Sequence, residues 1–262
     1  MAVLANHTYG EDPTLPPTYR YLDPATPAGK AELAKMGLKP NDVTPKGSGF
    51  HAEIFARDGP DGPHYAVAFR GTRPTSLEDW KNNGQQGIGG KSDYYDRALI
   101  LAKKVDIATD GRETFVGHSL GGGMASAAAV ATNHPGTTFN AVGLSEQTAG
   151  YPDVPPSVDA YYVPGDVLSG LQDNRGKVLG ALTGGAAVVA GPVAGGAAGG
   201  FFVGREAIGQ PVLPQAYGTR HPLPVVPPAD AGFVTRHNPV AKHGMDWVLR
   251  GIDQERKQLG CP

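Results

Sequence analysis

The run Glu113-Thr114-Phe115-Val116-Gly117-His118-Ser119-Leu120-Gly121-Gly122 passes from a short β-prone stretch into an Ala-rich one that reaches Asn133. Residues 117–121 read G-x-S-x-G. That pattern makes a sharp strand-to-helix turn with a serine hydroxyl exposed at its apex. Gly117 and Gly121 suit it because side chains there would crowd the turn and the elements beside it. Ser119 is a candidate nucleophile, and such a hydroxyl becomes reactive only when a neighbouring base takes its proton.

Working outward, the chain keeps an alternating rhythm. Residues 52–57 and 65–69 read as two strands of a hairpin about the turn Asp58-Gly59-Pro60-Asp61-Gly62-Pro63. Residues 93–105 place Tyr94, Ala98, Leu101, Ala102 and Val105 at helical spacing. Residues 139–144 and 158–163 are further strand candidates. A short helix is expected over 1–9, irregular Pro-rich chain over 10–27, and a helix over 28–39 stopped by Pro40. An amphipathic helix is expected over 244–257. Strands alternating with helices predict an α/β protein with a parallel sheet.

Composition narrows the function classes. Charged residues make up 18% of the 262 positions and the formal net charge is −2, which argues against a general polyanion binder, since neutralising phosphates needs a basic face. The 38 glycines and 24 prolines have no collagen-like period and point to many loops in a folded chain. Cys261 is the single cysteine, which excludes an intramolecular disulfide and a CxxC site. No H-E-x-x-H, EF-hand loop, paired Cys/His spacing, dinucleotide fingerprint or Walker loop occurs, so neither a metal nor a cofactor is expected. The start, Met1-Ala2-Val3-Leu4-Ala5-Asn6-His7, lacks a basic segment followed by a long apolar one, and a general-secretory leader is not expected. The chain would either stay in the cytoplasm or leave by a route that needs no such leader.

Two motifs carry a family likeness. Gly117-His118-Ser119-Leu120-Gly121-Gly122 resembles the elbow of the class 3 lipases of the α/β-hydrolase superfamily. Ala68-Phe69-Arg70-Gly71-Thr72 is similar to that family's oxyanion-loop motif, with Asp79-Trp80 and Asn82-Asn83 fitting its continuation. The likeness is best over residues 65–144. The chain is also similar to bacterial secreted antibacterial phospholipase effectors. These resemblances imply one α/β-hydrolase domain over 1–262, with a mostly parallel central sheet flanked by helices. They imply oxyanion donors at the backbone N–H of Leu120 and at Thr72. They further imply a lipid substrate at a membrane surface, a cognate immunity protein, and a component of a contact-dependent secretion machine as partners.

The acid and the base should follow Ser119 in chain order. Tyr161-Tyr162-Val163-Pro164-Gly165-Asp166 reads as strand, turn and Asp166, and Asp166-Val167-Leu168-Ser169 resembles the family's acid segment. Asp153, Asp159 and Asp173 compete less well, in a Pro-rich loop, a strand and a polar turn. For the base, His7, His51 and His64 precede the elbow, and His118 is locked within it. His134 ends the following helix as a C-terminal charge partner. His243, directly before an apparent helix start, is preferred; His237 and then His221 are the alternatives.

One stretch stands apart. Between Lys177 and Arg205 no residue is charged. The length would span a bilayer, for which about 20 apolar residues suffice. Its many glycines and Pro192 argue instead for a helical hairpin, a lid-like insertion over 176–208 that opens at a lipid surface. A pair of packed core helices is the alternative. The expected activity is serine-dependent hydrolysis of lipid carboxylic esters, of the phospholipase A type. Membrane perturbation through 178–204 without catalysis, and a non-lipid α/β-hydrolase, stay open as other classes.

Overall fold

A computed structural model describes residues 1–10, 14–71, 93–145, 148, 154–177 and 214–260. Thr72, Asp79-Trp80, Asn82-Asn83, Asp153, Cys261 and all of the 176–208 insertion except Gly176 and Lys177 lie outside the described residues.

Among the described residues, one sheet contains seven strands in the order β1 to β7. They are β1 (Arg20–Tyr21), β2 (Ala52–Gly59), β3 (Gly62–Phe69), β4 (Glu113–His118), β5 (Gly136–Phe139), β6 (Val158–Tyr162) and β7 (Thr219–Pro222). β1 and β3 pair antiparallel with β2, and every pairing from β3 to β7 is parallel. The hairpin and the α/β alternation agree with the sequence reading.

Helices cover both faces, and the two-residue period of the strands decides which side chain meets which helix. Val67, Phe69 and Phe115 join the core formed with α4 (Asp93–Thr109) and α5 (Leu120–Thr132). Ala66, Ala68 and Val116 face the other way, toward α1 (Ala2–His7) and α9 (Met245–Gln258), where Leu4, Ala5, Trp247 and Val248 are buried. No described helix is long and apolar enough to cross a membrane.

Several boundaries differ from expectation, and the stretch 10–27 expected to be irregular contains β1. The helix expected over 28–39 is α2 (Pro27–Lys35), because Gly37 turns to a φ of +68°; Pro40 then opens the one-turn α3 (Pro40–Val43). The strand expected over 139–144 is instead β5 at 136–139. The backbone of Asn140 turns to a φ of +41°, and the Val142 N–H leaves the sheet for the carbonyl of Ser119 at 3.1 Å. The apolar run marked burial of a loop, not the paired segment.

Candidate active site

Ser119 sits between β4 and α5 with φ 59° and ψ −125°, a left-handed conformation uncommon for a side chain bearing a Cβ. The turn is held by the Ser119 N–H donating to the Phe139 carbonyl at 3.0 Å. The glycines are explained by crowding. A Cβ on Gly121 would run into the Phe69 carbonyl, and one on Gly117 into the Gly121 carbonyl. Leu120 opens α5, so its backbone N–H belongs to the group that a helix cannot pair internally.

Asp166 follows β6 and caps α6 (Val167–Asp173), its carboxylate accepting from the Leu168 N–H at 2.9 Å and the Ser169 N–H at 3.2 Å. It is fully buried. Burial alone would push its carboxyl up; the hydrogen bond and charge of His243, with the N–H donors of α6, outweigh this and hold it below the ordinary value. His243 ends α8 (Pro239–Lys242), which α7 (Phe233–His237) precedes.

These three residues, distant in sequence, meet in one line. His243 Nδ1 lies 2.9 Å from Asp166 Oδ1, and His243 Nε2 lies 2.8 Å from Ser119 Oγ. The Nδ1–H donates to the carboxylate, which leaves Nε2 as acceptor for the serine hydroxyl. Of the competitors, Asp159 pairs with His221 at 2.8 Å and Asp173 with Arg220 at 2.7 Å. His237 is on the exposed α7, donating from Nδ1 to the Phe233 carbonyl at 2.8 Å. His134 pairs with Asp106 at 3.0 Å.

Sequence reasoning missed the support behind the line. His118 Nε2 lies 2.7 Å from the backbone carbonyl of His243. A carbonyl only accepts, so Nε2 carries the proton and Nδ1 is the acceptor. Nδ1 receives the hydroxyl of Tyr9 at 2.7 Å, and the Tyr9 oxygen in turn accepts from the Gly71 N–H at 3.1 Å. Burial first, then the charge of His243, push the His118 imidazole down to about 3, so it stays neutral near pH 7. Asn140 Nδ2 also donates to the His243 carbonyl at 3.1 Å while its Oδ1 accepts from the Val163 N–H at 2.8 Å. A lone tyrosine after a short N-terminal helix carries no motif that could have signalled this. A separate cavity of about 570 Å³, lined by residues including Leu144, Gln172 and Tyr217, contains none of the three aligned side chains.

A family model, the Tle-like phospholipase domain, matches residues 1–229. The chain belongs to that family. A stretch of 116 residues is 38% identical to the extracellular phospholipase A1 of Serratia liquefaciens, covering 44% of this chain and 34% of that protein. The match thus spans about a third of the relative's length. Among solved structures, a hyperthermophilic esterase from the archaeon Pyrobaculum calidifontis aligns over 88% of each chain at 13% identity with a TM-score of 0.24. The fold of this phospholipase-like domain rests on its own strand order and elbow, not on that superposition.

Proposed function

We propose that this Tle-like domain is a serine lipase that cleaves carboxylic esters of membrane phospholipids in the manner of a phospholipase A. The observation that carries the reading is the continuous alignment of Ser119 Oγ, His243 and Asp166 at 2.8 and 2.9 Å. Membership of a phospholipase family and the likeness to a phospholipase A1 support a lipid ester as substrate.

The chemistry follows from the geometry. Ser119 Oγ attacks the ester carbonyl as His243 Nε2 takes its proton, and Asp166 holds the imidazolium that forms. The oxyanion turns to the Leu120 N–H and, on the family likeness, to Thr72; one such donor is worth about 10²–10³ in rate. His243 then protonates the departing lysophospholipid alcohol. Water repeats the sequence on the acyl-serine and releases a fatty acid.

A lipid surface is supported by a second feature. Phe233, Val234 and Val240 expose 78%, 78% and 54% of their surface on α7 and α8, the helices that lead into His243. Solvent-facing large apolar groups on the helices preceding the base suit contact with an aggregated substrate. Action as an exported antibacterial effector, with an immunity protein as partner, is part of the same proposal and rests on the resemblance to such effectors.

The test is a panel of soluble esters, triglycerides and phospholipid vesicles, with products identified by mass. Release of fatty acid and lysophospholipid, lost in Ser119→Ala, is the expected result. Vesicle leakage undiminished in Ser119→Ala would replace hydrolysis with non-catalytic membrane perturbation, and cleavage of soluble esters alone would remove the lipid assignment.

A further inference from the structure

At the end of β4 opposite Ser119, Asp106 of α4, Glu113 at the start of β4 and His134 just past α5 converge. His134 Nε2 lies 3.0 Å from Asp106 Oδ1 and 3.6 Å from Glu113 Oε1, and the three atoms all fall within 4.8 Å of one another. The Glu113 side chain is wholly withdrawn from solvent, yet among the described residues its Oε1 has no hydrogen-bond partner, while Oε2 is met by the Thr109 hydroxyl. One imidazole N–H cannot serve both carboxylates, and at 3.0 Å it serves Asp106. A buried carboxylate oxygen without a donor costs free energy, so something else is called for at that point.

The chain also makes room for the ring. Gly111 adopts a φ of +73°, and a Cβ there would stand 2.7 Å from His134 Cε1. The loop between α4 and β4 is thus shaped around the imidazole.

We propose that Asp106, Glu113 and His134 bind a divalent first-row transition ion such as zinc. Bonds of about 2.0–2.2 Å at tetrahedral angles place neighbouring ligand atoms about 3.3–3.5 Å apart. The two distances from His134 Nε2, 3.0 and 3.6 Å, bracket that spacing, and the two carboxylate oxygens lie within 4.8 Å of each other. Two carboxylates balance the charge of the ion, and the fourth position opens to water because His134 and Asp106 are part-exposed, at 26% and 32%. Calcium is not the expected occupant, since it takes six to eight oxygens. Thr109 orients Glu113 from behind, as partners of metal ligands commonly do. The ion ties the ends of α4 and α5 to β4. It stands about 20 Å of strand from Ser119, at about 3.3 Å per residue, and serves structure rather than the hydrolytic step.

The experiment uses the full chain, stripped with a chelator and titrated with zinc by calorimetry, with calcium in a parallel arm and thermal melting as a second readout. Expected are one zinc per chain, a raised Tm, and no competition from calcium. Asp106→Asn and His134→Asn should each weaken zinc binding at least about tenfold, as loss of a ligand exceeds the 10–100-fold cost of losing an outer partner. Asp106→Asn replaces a part-exposed group and leaves the buried Glu113 in place, so a folded variant is expected whatever Glu113→Gln does. Zinc binding that both variants leave unchanged, or no zinc retained by the parent chain, overturns the proposal. Displacement of zinc by calcium overturns the choice of ion.

Discussion

The His118 ring donates to the backbone carbonyl of His243, so the residue before the proposed nucleophile holds the residue proposed to serve it. Tyr9 closes the arrangement by bonding both His118 and the N–H of Gly71, next to the expected oxyanion donor Thr72. Tyr9→Phe strips a partner from His118 Nδ1 and from the Gly71 N–H at once. Each buried orphan costs about 1–3 kcal/mol, visible in denaturant unfolding. Activity on a soluble ester should fall roughly tenfold through kcat with KM little changed, below the about 10²-fold that an ångström of misplacement can cost. A fall confined to KM would place Tyr9 in substrate binding instead.

The depressed imidazole of His118 gives a pH test of the same contact. In the unfolded chain this histidine takes its proton below about pH 6.5. In the folded state burial, then His243, keeps it neutral down to about 3. The unfolded state therefore binds more protons across that window, and stability falls as pH falls through it. At pH 5 the loss relative to pH 7 should be about 2 kcal/mol. Asp166, held below its ordinary value, adds stability that begins to be lost as pH falls through the ordinary carboxylate range. His118→Asn should be less stable at pH 7 but flatter between pH 7 and 5 in urea titrations. Equal slopes for the two proteins would mean that folded His118 accepts the proton.

Local rules make some of this legible, and long-range contacts hide the rest. The elbow is readable because Gly117 and Gly121 face carbonyls that leave no space for a side chain, a constraint confined to a few residues. Asp166 is readable as strand, turn, acid, although nothing in that pattern announces its capping of α6. His243 and His237 can be ranked in sequence only by the residues on their C-terminal side. What separates them in space is the capture of the His243 carbonyl by His118 and Asn140, more than 100 positions away. The edge strands β1 and β7 are short and polar, with no period to read. The apolar run 139–144 misleads because burial in a loop and burial in a strand look alike in composition.

The exposed apolar groups of α7 and α8 predict a split between substrates. Phe233→Ser together with Val234→Ser removes side chains that pack little in the folded chain, so stability should shift by no more than about 0.5 kcal/mol. Turnover of a short soluble ester should stay near the parent value. Hydrolysis of phospholipid vesicles should drop severalfold, and sedimentation with vesicles should weaken in parallel. Parallel losses on both substrates would show that these residues support the site and not the lipid contact.

If Ser119 and His243 act as one unit, their removal is non-additive. Ser119→Ala and His243→Ala should each lower kcat on the order of 10⁴-fold or more, and the double variant should be no worse than either. Asp166→Asn keeps a side-chain oxygen for capping α6 but loses the charge beside His243, so its loss should be large yet smaller than that of the serine. His237→Ala should leave the rate nearly intact, because that ring is exposed and, among the described residues, bonded within its own short helix. A fluorophosphonate should label Ser119 in the parent chain, and His243→Ala should suppress that labelling, since the unaided hydroxyl is a poor nucleophile. Labelling at another serine, or Ser119→Ala keeping more than a few per cent of the rate, would move the nucleophile elsewhere. Multiplied losses in the double variant would mean that the 2.8 Å contact between Ser119 and His243 is not the proton path.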